Sequence, residues 1–197
     1  MKMKKLLITA FEPFGGETLN PSQEAVFRIS DVVGVYSIER LLLPVEFETA
    51  VERVIAHSEV ICPDVIISVG QAGGREKITP ELVGINLRHA KIPDNAGNIP
   101  TDEPILENGN AAYFSTLPVR KMAQAIDDAG IPAQVSYSAG AYVCNEVFYS
   151  LLSHFSGTDT RVGFIHIPYS AEQNKHPSME LSDIVRALEI AIQSIDK

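Results

Sequence analysis

Cysteine, tryptophan and positive charge are all scarce in this sequence of 197 residues. It has two cysteines, Cys62 and Cys144, which are too few for a disulfide framework and favour a reducing, cytoplasmic location. The 16 Lys and Arg residues against 25 Asp and Glu give a formal net charge of −9, which argues against nucleic acid or a membrane as a partner. No apolar run approaches the roughly 18 residues of a membrane span, and the run at residues 6–11 is too short for a signal peptide.

Short apolar runs rich in β-branched residues alternate with helical patterns along the chain. With 45% apolar and 21% charged residues, this composition is ordinary for a globular protein. The alternation predicts an α/β fold with one domain over residues 1–197, a mostly parallel twisted sheet and helices on both faces. The predicted strands are residues 6–11, 33–43, 65–69, 133–137 and 161–167. Five helices are predicted. The first begins at the Asn20 N-cap, the second has an apolar stripe over residues 47–55, and the third covers residues 119–129. The fourth begins near residue 144, and the last covers residues 179–195.

Residues 73–110 interrupt this alternation because glycine and proline recur throughout them. Within them, residues 78–87 are predicted to form a small hairpin, and the remainder is predicted to be a long loop. Long loops inside a compact domain are usually functional or disordered. The glycines at 70, 73 and 74 fit neither the phosphate-loop nor the dinucleotide pattern, so they predict a turn.

Cys144 follows a predicted strand and a turn of small residues, and a helix is predicted to begin at or near it. A helix N-terminus favours a thiolate and can lower the pKa of a cysteine, and its free N–H groups can stabilise an oxyanion. Local sequence alone still favours a buried structural cysteine, because cysteine is among the most buried residue types. Cys62 lies among apolar residues just before a strand and is predicted to be structural.

A catalytic cysteine needs a nearby base, which is typically a histidine oriented by a third polar group. His166 lies at the carboxyl end of a predicted strand, where open α/β sheets place their ligands. A hydrogen-bonded core histidine is an equally good interpretation from local context. No two of the five histidines have metal-ligand spacing, so no metal site is expected.

Five stretches of the chain, taken together and in order, resemble one known family. They are Phe11-Glu12-Pro13-Phe14-Gly15-Gly16 with Asn20-Pro21-Ser22, Gly70-Gln71-Ala72-Gly73-Gly74-Arg75 with Ile78-Thr79-Pro80-Glu81, Ile92-Pro93-Asp94-Asn95, Ser138-Ala139-Gly140-Ala141-Tyr142-Val143-Cys144-Asn145, and Phe164-Ile165-His166-Ile167-Pro168. These motifs are similar to those of pyroglutamyl-peptidase I, the pyrrolidone-carboxylate peptidase family of cysteine exopeptidases. The resemblance covers nearly the whole chain, and it outweighs the structural interpretations of Cys144 and His166.

The resemblance implies a catalytic triad of Cys144 as nucleophile, His166 as base and acid, and Glu81 as the partner of the histidine. Local sequence alone does not single out Glu81 among the 25 acidic residues. The resemblance also implies a pyroglutamate pocket formed by Phe11, Phe14, Asn20, Gln71, Ile92 and Val143. It further implies peptides with N-terminal pyroglutamate as substrates, no cofactor, and a homo-oligomer, either a tetramer or a dimer.

The sequence departs from the family pattern most notably at Lys91, where an arginine is common near the reaction centre. Lysine keeps the positive charge but loses the planar fork of the guanidinium, so Lys91 is predicted only as oxyanion support. Two alternatives to a pyroglutamyl peptidase remain. One is a Cys-His-Glu amidase or glutaminase, against which Phe11 and Phe14 argue. The other is a non-catalytic α/β ligand-binding protein with an inert Cys144.

Overall fold

The computed structural model describes residues 3–196 and contains ten strands and five α-helices. The strands are β1 (Lys4–Phe11), β2 (Val32–Val33), β3 (Tyr36–Leu43), β4 (Val65–Gln71), β5 (Thr79–Pro80), β6 (Val83–Ile85), β7 (Ala112–Phe114), β8 (Arg161–Ile167), β9 (Tyr169–Ser170) and β10 (Ser178–Met179). The helices are α1 (Pro21–Val26), α2 (Thr49–Ile61), α3 (Val119–Asp128), α4 (Val143–His154) and α5 (Leu181–Gln193), and a 3₁₀ turn covers Ala171–Gln173.

Six strands form the main sheet, in the order β2-β3-β1-β4-β8-β5. The central strands β3, β1, β4 and β8 are parallel, whereas β2 and β5 pair antiparallel at the two edges. The predicted α/β fold with a mostly parallel sheet is therefore confirmed. Because parallel strands end at the same edge of a sheet, β1, β4 and β8 bring Phe11, Gln71 and His166 to one side of the molecule.

Each face of the sheet is covered by its own apolar core. One core joins the sheet to α1, α3 and α5, and its buried side chains include Val26, Ile126 and Leu188. The other joins the opposite face to α2 and α4 through Val54 and Phe148. Strands buried on both faces have near-continuous apolar sequences, which is why the central strands could be recognised from the sequence. No helix within residues 3–196 is long and apolar enough to cross a membrane.

Several predicted elements have different partners or bounds in the structure. The predicted hairpin at residues 78–87 is wrong, because β5 pairs with β8 and β6 pairs with β7. Both pairings join segments far apart in sequence, which local patterns do not reveal. The predicted strand at 33–43 is broken into β2 and β3, because Gly34 adopts φ +61° and the chain reverses there. The predicted helix at 179–195 begins only after β10.

The predicted strand at residues 133–137 is reduced to two isolated bridges. Ala133 bridges to Ile78 and Ser136 bridges to Glu81, both in parallel orientation. The segment therefore runs along the outer side of β5 and extends the edge of the main sheet. Its pairing is interrupted because Pro80 has no N–H to donate.

Cys62 is predicted to be structural because its sequence neighbours are apolar, but the structure does not surround its thiol with them. Cys62 is exposed, and it follows the last residue of α2 in the left-handed conformation, with φ +49°. Its N–H donates to Ser58 O and closes the helix. The apolar residues around it in sequence therefore belong to the helix end and to β4, not to a shell around the thiol.

Candidate active site

A cavity of about 210 Å³ opens at the carboxyl ends of β1, β4 and β8. Seven of the residues implied by the family resemblance line this cavity, namely Phe11, Phe14, Asn20, Gln71, Val143, Cys144 and His166. The other lining residues are Val45, Ala72, Arg75, Ala139, Gly140 and Tyr142. Ligand pockets for drug-sized molecules measure about 300–1,000 Å³, so this cavity suits a smaller group.

The first turn of α4 places Cys144 at the cavity. Gly140 adopts φ +79° in the turn before the helix, and Tyr142 is the N-cap residue with an extended backbone. Cys144 is then the second helical residue, where backbone N–H groups lack an intrahelical acceptor. The thiol therefore lies beside free N–H donors, as the sequence predicts for a helix N-terminus.

Gly70 on β4 makes room for the Cys144 thiol. A Cβ atom built on Gly70 would lie 2.8 Å from Cys144 Sγ and 2.9 Å from Phe164 Cζ, closer than real Cβ atoms come. Gly70 also pairs in register with His166 on β8. The glycine thus allows the thiol to lie directly over β4, in line with the histidine of the neighbouring strand.

A buried hydrogen-bonded pair lies behind the cavity. His166 Nδ1 is 2.8 Å from Glu81 Oε1, and the two residues are only 4% and 0% exposed. Arg75 Nη1 donates to the same Glu81 oxygen at 2.6 Å. Because the ionised Glu81 can only accept a hydrogen bond, Nδ1 of His166 carries the proton of the neutral imidazole and donates a hydrogen bond to Glu81. The Nε2 atom is then left with a free lone pair. That arrangement is typical of a general base oriented by a carboxylate.

Burial controls the protonation of these groups. It raises the pKa of the Cys144 thiol to about 12, with a further contribution from the negative charge of Glu81. Burial therefore outweighs the lowering of the cysteine pKa that is expected at a helix N-terminus. Burial also lowers the pKa of His166, although its hydrogen bond with Glu81 and the charge of that carboxylate oppose the change. Before substrate binds, the structure thus favours a neutral thiol beside a neutral imidazole.

The pKa of Glu81 shifts in the opposite sense from what its burial alone would cause. Burial raises it, but the hydrogen bond and charge of His166, together with Arg75, lower it below the ordinary value. Glu81 is therefore ionised at neutral pH, and it can stabilise the imidazolium that forms when His166 takes a proton.

Two side-chain amides that line the cavity are fixed by their hydrogen bonds. Asn20 Oδ1 accepts from the backbone N–H of Ser22 at 3.0 Å, and Asn20 Nδ2 donates to Glu12 O at 3.0 Å. One N–H of Asn20 is then left to donate. Gln71 Oε1 accepts from Gln173 Nε2 at 2.9 Å, which leaves the Nε2 group of Gln71 as a donor. Both amides therefore offer N–H donors, whose natural partner is a carbonyl oxygen.

Lys91 and Ile92 are not among the residues that line the cavity. Lys91 is exposed, and Ile92 is 46% exposed with its Cδ1 atom close to Gly15. Their predicted roles at the oxyanion and in the substrate pocket stay predictions. The cation that does line the cavity is Arg75, which lies within one of the motifs but has no role predicted from the sequence. Arg75 reaches Glu81 only because of the way the chain folds around β5, and no local sequence pattern predicts that contact.

A thiol, an imidazole and a carboxylate around one small cavity are typical of cysteine hydrolases that act by acyl transfer. Within residues 3–196, no group of three or more His, Cys, Asp and Glu side chains could hold a metal ion.

Comparison with known proteins defines the class further. The family model described as pyroglutamyl peptidase matches residues 4–197. A pyrrolidone-carboxylate peptidase of Erwinia tasmaniensis is 50% identical over 195 residues, covering 96% of this chain and 92% of its own length. One of Vibrio parahaemolyticus is 47% identical over 199 residues, covering 98% and 93%.

Solved structures agree with the sequence relatives. The crystal structure of Bacillus amyloliquefaciens pyroglutamyl peptidase I matches with a TM-score of 0.94 and 47% identity, over 98% of this chain and 96% of that one. The pyrrolidone carboxyl peptidase of Thermococcus litoralis matches with a TM-score of 0.93 and 39% identity, over 98% and 93%. The chain belongs to the pyroglutamyl peptidase family, and its enzyme class is that of pyroglutamyl-peptidase I. The predicted family and enzyme class are thus confirmed.

The close approach at Gly70 gives a first prediction. The Gly70→Ala variant should lose about 100-fold in peptidase kcat, because a displacement of about 1 Å at a reacting group has an effect of this size. Ser68→Ala, two residues earlier on the same face of β4, is the matched control and should stay near the wild-type rate. Steady-state kinetics and thermal melts of both variants check this. A Gly70→Ala protein with wild-type kcat would contradict the proposed position of the thiol.

The buried pair predicts a shift in pH dependence. A general base must be neutral to take a proton, so with His166 in that role kcat/KM should fall as the pH drops through the pKa of His166, which burial holds below the ordinary histidine value. Glu81 raises that pKa, so Glu81→Gln should move the acid limb to lower pH and also lower the plateau, because the imidazole is less well oriented. The measurement is kcat/KM against pH for both proteins. An acid limb that moves to higher pH in the variant would contradict this account.

Proposed function

We propose that this protein is a cysteine exopeptidase that removes an N-terminal pyroglutamyl residue from peptides through a Cys-His-Glu mechanism and a thioester. The observation that carries the proposal is the small cavity where Cys144 lies at a helix N-terminus and the His166–Glu81 pair lies at 2.8 Å. The names of the relatives, pyrrolidone-carboxylate peptidases, support pyroglutamyl peptides as the substrate class.

The mechanism begins with the neutral thiol. His166 Nε2 takes the proton of Cys144 as the sulfur attacks the carbonyl carbon that joins pyroglutamate to the next residue. The oxyanion that forms is stabilised by the backbone N–H of Cys144 and a second donor. His166 then gives its proton to the leaving amine, and a pyroglutamyl thioester remains on Cys144. Finally His166 activates a water molecule that hydrolyses the thioester and restores the thiol.

The cavity suits the lactam ring of pyroglutamate in size and polarity. Phe11, Phe14 and Val143 supply apolar walls for the ring. The N–H donors of Asn20 and Gln71 suit the ring carbonyl, which accepts but does not donate hydrogen bonds. The site therefore fits a neutral cyclic amide with one exocyclic carbonyl oxygen.

An amidase or glutaminase is the second candidate, and the cavity lining opposes it. Glutamine and glutamate carry a charged α-amine, yet none of the residues that line the cavity is Asp or Glu, and the cation Arg75 is present. Burying an unpaired charge costs several kcal/mol. Since about 1.4 kcal/mol is a tenfold change in rate, discrimination of at least about a thousandfold is expected. A non-catalytic binding protein would have no use for a buried imidazole–carboxylate pair next to a thiol.

We further propose that residues 1–197 act as one catalytic domain, in the cytoplasm, as a homo-oligomer. The common packing of helices on one main sheet supports the single domain. Exposed apolar side chains, such as Phe114 and Ile99, support self-association. Every chemical step of the proposed mechanism is supplied by side chains, backbone and water, so a cofactor has no role in it.

A direct assay tests the proposed function. The protein should release a chromophoric amine from a pyroglutamyl amide, with kcat/KM at least about a thousandfold higher than for the glutaminyl amide. The prolyl amide, which has the ring without the carbonyl, should also be poor. Comparable turnover of the glutaminyl amide would contradict the assignment and favour the amidase.

The two cysteines provide the matched control in the same assay. Cys144→Ala should abolish turnover because it removes the nucleophile, whereas Cys62→Ala should leave it intact because that thiol is exposed at the end of α2. A Cys144→Ala protein with full activity would overturn the mechanism.

A further inference from the structure

A second cavity adjoins the catalytic one and has no role in the mechanism above. It measures about 420 Å³ and is lined by Arg75, Thr79 and residues 134–138, which we call the edge segment. Arg75 lines both cavities. The chain also continues directly from Ser138 into Ala139 and Gly140, which line the catalytic cavity. The second cavity is therefore a groove that begins at the catalytic cavity and follows the edge segment away from it.

The edge segment offers backbone groups that the fold does not use. Gln134 N donates to Ile78 O, and Ser136 N donates to Pro80 O, so these residues face β5. Residues alternate their backbone groups between the two sides of an extended strand, so the N–H and C=O of Val135 point away from β5. Within residues 3–196, neither group of Val135 has a hydrogen-bond partner in the chain. The outer side of the segment is thus an open sheet edge.

We propose that the leaving peptide, the residues that follow pyroglutamate in the substrate, binds along this open edge as an added β-strand on the edge segment. The inference rests on the proposed function, because it takes the catalytic cavity as the place of the pyroglutamyl ring. The edge segment runs toward that cavity, whereas the substrate runs away from it. The added strand is therefore antiparallel to the edge segment, with the backbone of Val135 as its central partner.

Backbone pairing explains how such a site accepts many peptides. Addition of a strand to a sheet edge draws its affinity from main-chain hydrogen bonds, which are the same for nearly every residue type. Apart from Val135, the groove is lined by polar side chains and by Tyr137, which is 61% exposed and can lie along a peptide without enclosing a side chain. The catalytic cavity therefore determines which substrates are selected, and the edge segment makes longer peptides bind more tightly than short ones.

The test compares substrates of different length on two variants. Val135→Pro removes the outward N–H without breaking a bond of the fold, and proline is tolerated on an edge strand. Val135→Ala keeps that N–H and is the matched control. We measure kcat/KM for a pyroglutamyl chromophoric amide, which has no peptide beyond the scissile bond, and for pyroglutamyl tri- and tetra-alanine amides.

In the wild type, kcat/KM should rise with length and then level off. In Val135→Pro, the ratio of kcat/KM for the tetra-alanine peptide to that for the chromophoric amide should fall about two- to tenfold, the effect of one hydrogen bond. The ratio should be unchanged in Val135→Ala. An unchanged ratio in Val135→Pro, or a wild type without length dependence, would overturn this inference alone. A wild type that does not cleave the chromophoric amide would overturn the proposed function, and the inference with it.

Discussion

The absence of a side chain at position 70 is the constraint on which the site depends. Gly70 pairs with His166 across β4 and β8, and a Cβ atom at Gly70 would come within 2.8 Å of the Cys144 sulfur. The parallel register therefore fixes where the histidine lies, and the missing side chain fixes how close α4 can bring the thiol. The proposed nucleophile lies on a helix and the proposed base on a strand, so the distance between them depends on how α4 packs against the sheet.

The buried carboxylate is the second requirement. A lone ionised carboxylate in the interior is very unfavourable, but Glu81 is paired with both His166 and Arg75. Arg75 also donates to Thr79 Oγ1 at 2.6 Å and to Ser138 O at 2.9 Å. One guanidinium thus links the Glu81 carboxylate, β5 and the segment that leads to Cys144.

Much of the fold could be predicted from the sequence, because buried parallel strands have nearly continuous apolar runs and the Asn20-Pro21 pair marks a helix start. Asn20 does accept from Ser22 N as the N-cap of α1. The pairing of β5 with β8 and of β6 with β7 could not be predicted, because nothing local specifies a partner so distant in sequence. The exposure of Cys62 was missed for a related reason, since apolar neighbours in sequence need not be neighbours in space.

The candidate site was predicted unevenly. Local sequence indicated Cys144 and His166 as candidates, but only the family resemblance indicated Glu81, because one carboxylate among many has no distinctive local pattern. Arg75 was missed, since its partners are set by tertiary structure. The resemblance also implied Ile92 and Lys91, yet the structure places neither in the lining of the cavity. The motifs therefore indicated most of the residues that line the cavity, whereas the pairing of Arg75 with Glu81 became visible only in the fold.

In the proposed mechanism the Cys144 sulfur forms a covalent bond with the pyroglutamyl group. Rapid acid quenching during turnover, followed by peptide mass spectrometry, detects such a bond. We expect the added mass of one pyroglutamyl acyl group on the peptide that contains Cys144, and none on the peptide that contains Cys62. Turnover at the wild-type rate with no adduct on Cys144, or in a protein that lacks Cys144, would contradict this mechanism.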